Sequence, residues 1–306
     1  MEHINPGILN KEDIRIYSSK RLFKFIPYIA FCIVIYFGFS HLYRRAFCNT
    51  PTIFSLFFDF ISPITFIVFI WSNAAYTFLY YFEIPFFEKY KVNNLEWPWK
   101  ENPEKWKKGL KKLIFVHLLN NLILFPLFHF AFSFSRSIST SPEELPSFFT
   151  FVFHILICVF AEDFTFYWGH RLLHTPLFYQ KIHKHHHSQY NVTYFAHAYA
   201  HWAEFVFGNL VPLYFGAFVL GKQIHAISFL AFIVYRAIET SETHSGYEFP
   251  WSIFQALPYT TDSSYHNHHH LINIGNYGSF SVIWDNLFKT NLDYFGEFNK
   301  QAKKSK

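Results

Sequence analysis

Long apolar stretches alternate with short polar segments along most of the chain. A helix needs about 20 apolar residues to cross the hydrocarbon layer of a bilayer. Stretches of about that length fall near residues 25–43, 53–82, 113–135 and 148–168. Two further apolar stretches near 205–237 are joined by GKQ at 221–223 and predict a helical hairpin. Whether this hairpin crosses the whole membrane is left open. The pattern therefore predicts an all-α, polytopic membrane bundle of about four spans plus this hairpin.

The second apolar stretch is interrupted along its length. Pro63 lies in its first half, and the more polar run WSNAAY follows at 71–76. Proline removes a backbone donor and clashes with the preceding turn, so it bends a helix. We expect a tilted, kinked helix in this region.

Composition supports the membrane class. Of the 306 residues, 51% are hydrophobic and 15% are charged, and the chain contains 43 Phe and 20 Tyr. The formal net charge of +5 is modest, and Lys and Arg lie in the polar segments, which indicates membrane orientation rather than nucleic-acid binding. The isolated Cys32, Cys48 and Cys158 match neither a disulfide framework nor a thiolate metal site.

The polar segments beside the first spans predict which side of the membrane they face. Residues 11–24 and 88–112 are rich in Lys and Arg, and such loops favour the cytosolic side. Counting alternate crossings from a cytosolic N-terminus returns the chain to the cytosol near residue 168. The polar part at 239–306 is then predicted to lie on the cytosolic face as well.

No repeat or linker divides the chain, so residues 1–306 are predicted to form one membrane domain. Residues 1–150 would be mainly a transmembrane anchor, and residues 151–290 would carry the histidine-rich chemistry. Lys303 and Lys304 have the spacing of a dilysine retrieval signal, which predicts a location in the endoplasmic reticulum membrane.

Histidine is concentrated in the second half, where 15 of the 19 histidines follow residue 150. HRLLH places His170 and His174 one helical turn apart, so both rings leave the same face. HKHHH and HNHHH each contain the spacing i, i+3, i+4, which also gathers rings on one face of a helix. These two runs contribute His183, His186, His187, His266, His269 and His270.

Three such segments supply eight imidazoles, more than one ion uses and suited to two metal ions. Coordination explains the clustering, because a cation accepts the lone pair of a neutral imidazole and offsets repulsion between the rings. Imidazole suits iron, copper, nickel and zinc. Structural zinc sites use four ligands that normally include cysteine, and carboxylate-type di-iron bundles use Glu-x-x-His pairs that this sequence lacks. The histidine-only di-iron centre of membrane oxygenases is the remaining match.

Longer motifs around the histidines carry a family resemblance. They are HRLLHTPLFYQKIHKHHH, YAHWAE, ETSETHSGYEFPW and HNHHHLINIGNYGSFSVIWD. In order and spacing they resemble the fatty acid hydroxylase/sterol desaturase superfamily over about residues 160–290, and within it the C-4 methylsterol monooxygenases. HSGYEFPW and IGNYGS are the more specific parts of this resemblance.

The resemblance implies a ligand set for two iron ions. The catalytic metal ligands would be His170, His174, His183, His186, His187, His266, His269 and His270. His244 would also lie at the metal centre, and His201 would be a ligand or a supporting group. His185 and His268 occupy spacer positions and are predicted not to bind metal.

Two residues depart from the family pattern. Tyr265 stands where the family often has a further histidine, and Trp202 replaces the usual proline. Both are expected beside the pocket, so they bear on the substrate more than on the metals. Carboxylates that accept the second ring N–H of a ligand histidine should orient it. The predicted supporting residues are Asp163, Glu204, Glu239 and Thr240.

The resemblance implies an oxidoreductase that uses O2 to oxidise a sterol C-4 methyl group at the cytosolic face of the endoplasmic reticulum. The sequence contains no flavin or dinucleotide fingerprint, so electrons would come from NAD(P)H through an external carrier, cytochrome b5 or its reductase. The substrate would enter from the bilayer lipids, and no nucleic acid is expected as a partner. Zinc could replace iron in overexpressed protein.

Several alternatives stay open at this stage. Within the same chemistry they are a C-5 sterol desaturase, a C-24 sterol dealkylating enzyme and a fatty-acyl or alkane hydroxylase. A zinc-dependent membrane hydrolase would work without O2 or reductant. A non-catalytic metal-binding or transport protein would need polar residues along its spans, and the apolar stretches contain few.

Overall fold

The computed structural model describes residues 11–92, 95–135, 138–188, 192–256 and 259–291. Within these ranges the protein is helical, and its β contacts are isolated bridges such as that between Lys91 and Tyr247. The predicted all-α class is therefore confirmed. The dilysine pair Lys303 and Lys304 lies outside the described residues.

Eight longer α-helices form the framework. They are α1 (Lys11–Ala46), α2 (Ser62–Phe82), α3 (Pro103–Leu119), α4 (Phe125–Ser135), α5 (Phe148–Leu173), α6 (Val211–Leu220), α7 (Ala226–Thr243) and α8 (Ser263–Ile272). The short α-helices are Ile53–Ser55, Pro85–Glu88, Pro98–Glu101, Pro176–Tyr179, Trp202–Glu204 and Ile283–Leu287. The 3₁₀ segments are His183–Ser188, Tyr194–Ala198, Gly221–Gln223 and Ile253–Gln255, and the π-helical segments are Leu56–Ile61, Asn120–Leu124 and Phe205–Leu210.

Five helical segments are long and apolar enough to cross a membrane. They are Phe25–Ala46, Ile53–Phe82, Pro103–Phe134, Phe148–Leu173 and Trp202–Gln223. The multi-pass prediction is confirmed, but the third segment begins before its predicted start near 113. Asn102 caps that helix by accepting from the Lys105 N–H, so the Lys-rich stretch that follows is already helical.

Each π-helical segment comes directly before a proline in the next helix. The prolines are Pro63, Pro126 and Pro212, each the second residue of its α-helix. A proline lacks the N–H that would bond to the carbonyl four residues earlier, and a wider turn redistributes the carbonyls left without that donor. The kink predicted at Pro63 is thus one instance of a feature that occurs three times.

The predicted hairpin is present, but its second arm is a core helix. Gly221, with φ of 54°, ends α6, and the chain turns back into α7. Most of α7 between Ala226 and Tyr235 is buried, within the main hydrophobic core. The first arm lies tightly on α5, because a Cβ at Gly216 would come within 2.6 Å of the Cys158 Cα. The second arm also contacts α5, where Arg236 of α7 bonds to Glu162 of α5 at 2.8 Å.

Candidate metal centre

The first histidine pair lies at the C-terminal end of α5. His170 is in the last turn and is buried, and His174 is the C-cap residue of the helix. The helix ends there because Thr175 has extended backbone and Pro176 begins the next helix. Both rings therefore project from the end of a spanning helix, as the HRLLH spacing predicted.

The second set comes from the 3₁₀ segment His183–Ser188. A 3₁₀ helix has three residues per turn, so side chains three apart stack above each other. The rings of His183 and His186 do so, with centroids 5.4 Å apart and an interplanar angle of 26°. His187 lies on the side of His183 rather than His186, with Nε2 atoms 3.1 Å apart. The run thus divides its rings between two neighbouring groups.

The third set comes from α8, whose N-terminus is capped by Asp262 accepting from the Tyr265 N–H. His266, His269 and His270 are all buried on this helix. His244 joins them from the C-cap position of α7. Four separate segments therefore contribute buried rings to one place in the molecule.

The nine histidines form two groups in which all candidate ligand atoms lie within 4.8 Å of one another. The five-histidine group contains His170, His174, His183, His187 and His269. The four-histidine group contains His186, His244, His266 and His270. The groups adjoin, since the ring centroids of His187 and His270 are 4.5 Å apart.

The outer nitrogens of three rings face backbone carbonyls. His170 Nδ1 lies 3.0 Å from the Tyr277 oxygen, His269 Nδ1 lies 2.6 Å from the Gly275 oxygen, and His244 Nδ1 lies 3.0 Å from the Thr240 oxygen. A carbonyl oxygen can only accept, so these Nδ1 atoms must carry the ring hydrogen. Their Nε2 atoms then present lone pairs to the centre of each group.

The Nε2 atoms that face each other inside the five-histidine group lie close together, and hydrogen bonds alone cannot account for all of these contacts. His187 Nε2 lies 3.1 Å from His183 Nε2 and 3.2 Å from His269 Nε2. The His183 Nδ1 lies 3.0 Å from a carboxylate oxygen of Glu204, without the alignment of a hydrogen bond. One ring nitrogen can donate at most one hydrogen, so at least one of the two His187 contacts cannot be a hydrogen bond.

A cation between the rings resolves this conflict. Ring nitrogens about 2.1 Å from one ion and at right angles to each other lie about 3.0 Å apart. The contacts between neighbouring Nε2 atoms run from 2.8 Å for His244 and His266 to 3.2 Å for His187 and His269. The residues present therefore fit a metal ion in each group.

Electrostatics also keeps the rings in the form that binds metal. Burial lowers the pKa of His174 to about 2 and that of His186 to about 3, and neighbouring histidines add to both effects. The same causes hold the pKa of His269 well below the ordinary value. These rings are neutral at physiological pH, with no proton for a metal ion to displace.

The four predicted supporting residues occupy different roles. Glu204 contacts His183, as described above, and Thr240 accepts from His244 through its backbone carbonyl. Glu239 instead pairs with Arg236, at 2.6 Å, and contacts none of the nine rings through the bonds described. Asp163 accepts from the Phe280 and Ser281 N–H groups, so it fixes a loop rather than a ring.

The sequence analysis missed the residue that organises this loop. Asp285 is fully buried and accepts from the Tyr277 and Gly278 N–H groups, at 2.9 and 2.7 Å. It also accepts from the hydroxyl groups of Tyr265 and Thr290. The loop it holds supplies the carbonyls of Tyr277 and Gly275 to the five-histidine group. The sequence signal was the aspartate that ends the motif HNHHHLINIGNYGSFSVIWD.

Gly278 shows how tightly this loop is folded. A Cβ there would lie 2.2 Å from the Ser281 oxygen and 3.0 Å from an Asp285 oxygen. Tyr265, the predicted departure from the family pattern, points to Asp285 and to neither histidine group.

The structure brings neither His201 nor the spacer histidines into the groups. His201 is half-buried, and its Nδ1 accepts from the Ala203 N–H as a helix cap, so that nitrogen is turned away from the centre. His185 is exposed and its ring lies beside that of His201, with centroids 6.3 Å apart. His268 is half-buried on α8 and belongs to neither group. A histidine absent from the predictions, His197, lies closer to the site.

One cavity adjoins both groups and reaches the ends of the spanning helices. Its polar wall includes His170 and His183 of one group and His186, His244 and His266 of the other. Its apolar wall comes from the last turns of α5 and from residues on both sides of His201, through Phe166, Leu173, Ala200 and Gly208. The volume is about 40 Å³, which holds a small group rather than a whole lipid.

Comparisons with known proteins agree with this site. A sequence model described as fatty acid hydroxylase matches residues 155–290, the part of the chain that carries all nine histidines. The chain is 34% identical over 214 residues to methylsterol monooxygenase 2-2 of Arabidopsis thaliana, covering 68% of this chain and 76% of the relative. It is 31% identical over 229 residues to methylsterol monooxygenase 1 of Gallus gallus, covering 72% of each.

A relative with a different printed activity is also similar. The chain is 36% identical over 212 residues to very-long-chain aldehyde decarbonylase GL1-8 of Oryza sativa subsp. indica, covering 68% of this chain and 75% of the relative. The sequence analysis did not consider this reaction. No solved structure matches the chain significantly.

These similarities confirm the predicted resemblance and the prediction that the protein is an enzyme, an oxidoreductase. They extend over about two thirds of the chain and about three quarters of each relative, well beyond the histidine motifs. The chain belongs to the fatty acid hydroxylase family.

Proposed function

We propose that this protein is a membrane-bound di-iron oxygenase that oxidises the C-4 methyl group of a sterol. The observation that carries the proposal is the pair of buried histidine groups beside a cavity whose other wall is apolar and belongs to spanning helices. The similarity to methylsterol monooxygenases of a plant and an animal supports the substrate class. Two iron ions, when bound, would supply reductive activation of O2 for attack on an unreactive C–H bond.

The residues of the chain would hold this chemistry in place. The five- and four-histidine groups would bind one iron ion each through their Nε2 atoms. The carbonyls of Tyr277, Gly275 and Thr240 fix the tautomer of their rings, and Glu204 lies against His183. The cavity admits only a small group, so the reacting methyl would enter it while the sterol rings stay between the helices or in the lipid.

The same proposal assigns location and partners. The apolar cavity wall lies at the ends of α5 and of the span that follows His201, so substrate would arrive from the bilayer. Electrons from NAD(P)H would come through cytochrome b5 or its reductase at the cytosolic face of the endoplasmic reticulum. The Lys-rich segment at 100–112 offers a positive surface for an acidic carrier.

Aldehyde decarbonylation is the second candidate, favoured by the 36% identity to the rice protein. The histidine groups do not separate the two reactions, because both could use the same metal pair. The substrate decides between them.

The test uses full-length protein in lipid nanodiscs, loaded anaerobically with ferrous iron and supplied with cytochrome b5, its reductase and NAD(P)H. Separate reactions contain a 4,4-dimethylsterol, a very-long-chain aldehyde, a fatty acid or a sterol lacking C-4 methyl groups. We expect oxygen from ¹⁸O2 to appear at the C-4 methyl of the first substrate only. Products from the aldehyde alone would support the second candidate. Turnover without O2 or reductant would contradict an oxygenase.

A matched pair of variants controls for adventitious metal. H187N removes a ring shared by the contacts of the five-histidine group, whereas H185N changes the exposed histidine two residues away. We expect H187N to abolish oxidation and H185N to retain it. Equal activity in both variants would contradict the proposed metal centre.

A further inference from the structure

The two histidine groups differ in ligand number, and one more histidine lies beside the smaller group. The groups contain five and four rings. His197, on the 3₁₀ segment Tyr194–Ala198, lines the same cavity as His186, His244 and His266 of the four-histidine group. It belongs to none of the three histidine motifs.

The orientation of His197 matches that of the ligand rings. Its Nδ1 makes a short contact with the Tyr194 carbonyl oxygen, so this nitrogen carries the hydrogen. Its Nε2 is therefore a free lone pair, as in His170, His244 and His269. This is the tautomer in which a backbone carbonyl prepares a histidine to bind a metal.

The His197 ring also approaches one member of the group. Its ring centroid lies 6.0 Å from that of His244. Two accepted members of the group, His186 and His266, have centroids 6.3 Å apart. A ring at the position of His197 is therefore no further from a member of the group than existing members are from each other.

The surrounding residues hold the segment in this position. The Tyr194 ring stacks on Tyr76, with centroids 5.3 Å apart and an interplanar angle of 20°, and it contacts the His197 ring at 4.6 Å. The Tyr194 N–H donates to the Tyr80 hydroxyl, and Asn73 donates to the Tyr194 hydroxyl. The carbonyl that orients His197 thus belongs to a residue fixed from three sides.

We propose that His197 is a fifth nitrogen ligand of the four-histidine group, which would give both groups the same ligand number. The assignment rests on the proposed metal pair. It also replaces His201 as the ligand from this segment, because the His201 Nδ1 caps a helix and that ring lies beside exposed His185. His201 was predicted from the motif YAHWAE, which does not include His197.

The test compares H197N with H201N in the full-length, metal-free protein in detergent, titrated with Co²⁺. Asparagine at 197 can still donate to the Tyr194 carbonyl but has no second ring nitrogen, and asparagine at 201 can still cap the helix. We expect H197N to bind one of two cobalt equivalents at least about tenfold more weakly than wild type, with an altered visible d–d spectrum. H201N should match wild type in both measurements.

Three results would overturn the assignment. The first is an H197N protein with wild-type affinity for both equivalents and an unchanged spectrum. The second combines two observations: H197N binds neither cobalt ion, and added imidazole does not restore binding of the second cobalt ion to H197G. Together they would show that His197 has a structural role. The third is a wild-type protein that binds fewer than two equivalents, which would refute the metal pair itself. Normal cobalt binding without sterol oxidation would refute only the proposed substrate.

Discussion

The two histidine groups use the same residue type but are supported by different kinds of backbone. In the five-histidine group, His170 and His269 donate to carbonyls of the loop that contains Gly275 and Tyr277. In the four-histidine group, His244 donates to Thr240, one turn earlier in its own chain. A helix supplies its carbonyl locally, whereas a loop carbonyl must be held by distant residues. The first group should therefore depend more on tertiary contacts.

Acidification should affect both groups together and have the largest effect. In the unfolded chain the histidines have pKa values of about 6.5, whereas burial lowers the pKa of His174 to about 2 and of His186 to about 3. Below pH 6.5 the unfolded chain therefore binds protons that the folded, metal-free protein does not. The free energy of unfolding is therefore highest above pH 6.5 and decreases as the pH falls, by up to about 1.4 kcal/mol per histidine for each pH unit.

Thermal unfolding of the metal-free protein between pH 8 and pH 5 measures this effect. We expect the Tm to fall steeply below pH 6.5, and we expect metal loading to raise the Tm without removing this fall, because the folded rings bind no protons in either form. H41N, at an exposed position on α1, is the control and should follow the wild-type curve. A Tm independent of pH would show that the rings are not buried as neutral groups.

Asp285 is the residue on which the loop that contains Gly275 and Tyr277 should depend most. Its four described partners all donate to it, and an asparagine amide would face one of the two backbone N–H groups with another donor. An unsatisfied buried donor costs about 1–3 kcal/mol, and loss of the negative charge adds to this. We expect D285N to lower the Tm and to weaken metal binding in the five-histidine group by about 10- to 100-fold.

Cobalt titration of D285N and of D59N measures the difference, because Asp59 is exposed. D59N should match wild type. If D285N weakened only the four-histidine group, the loop would not be the support of the other group. Variants of His187 and His270 identify which cobalt band belongs to which group.

The sequence could predict the features that depend on local spacing. The spans, the hairpin and the eight motif histidines follow from apolar length and from i, i+3 and i+4 spacing, and the structure brings all eight rings together. It could not predict that His183 and His187 would join one group and His186 the other, because that division depends on the rings that other segments contribute. Asp285 and His197 lie outside these spacings, in segments whose positions are set by contacts with residues far away in the chain.

Variants of Arg236 test whether α7 holds His244 of the four-histidine group in position. It bonds to Glu162 at 2.8 Å and to Glu239 at 2.6 Å, with all three residues largely buried. Its guanidinium also contacts the Thr240 hydroxyl, next to the carbonyl that orients His244. Removing one partner from a buried ion pair costs about 3–5 kcal/mol, because the remaining charge has no counter-ion.

We expect R236M to lower the free energy of unfolding by about that amount and R236K to lose less, since lysine keeps the charge but not the planar fork. R45M, at an exposed position on α1, is the control and should leave stability unchanged. Thermal or denaturant unfolding in detergent makes the comparison. Wild-type stability in R236M would mean that the helix holds His244 without this network.

Glu204 should give the smallest and most local effect. Its carboxylate lies 3.0 Å from His183 Nδ1, and His183 belongs only to the five-histidine group. Glutamine keeps an oxygen at this position but cannot carry the negative charge that offsets a bound cation, so E204Q should weaken one cobalt equivalent by about tenfold, or about 1.4 kcal/mol. The four-histidine equivalent should not change, and E144Q, at an exposed position, should change neither. An equal loss of affinity for both cobalt ions would show that the buried Glu204 carboxylate acts on the combined charge of the two ions. The two groups would then be one electrostatic unit, whatever the differences in the backbone that supports them.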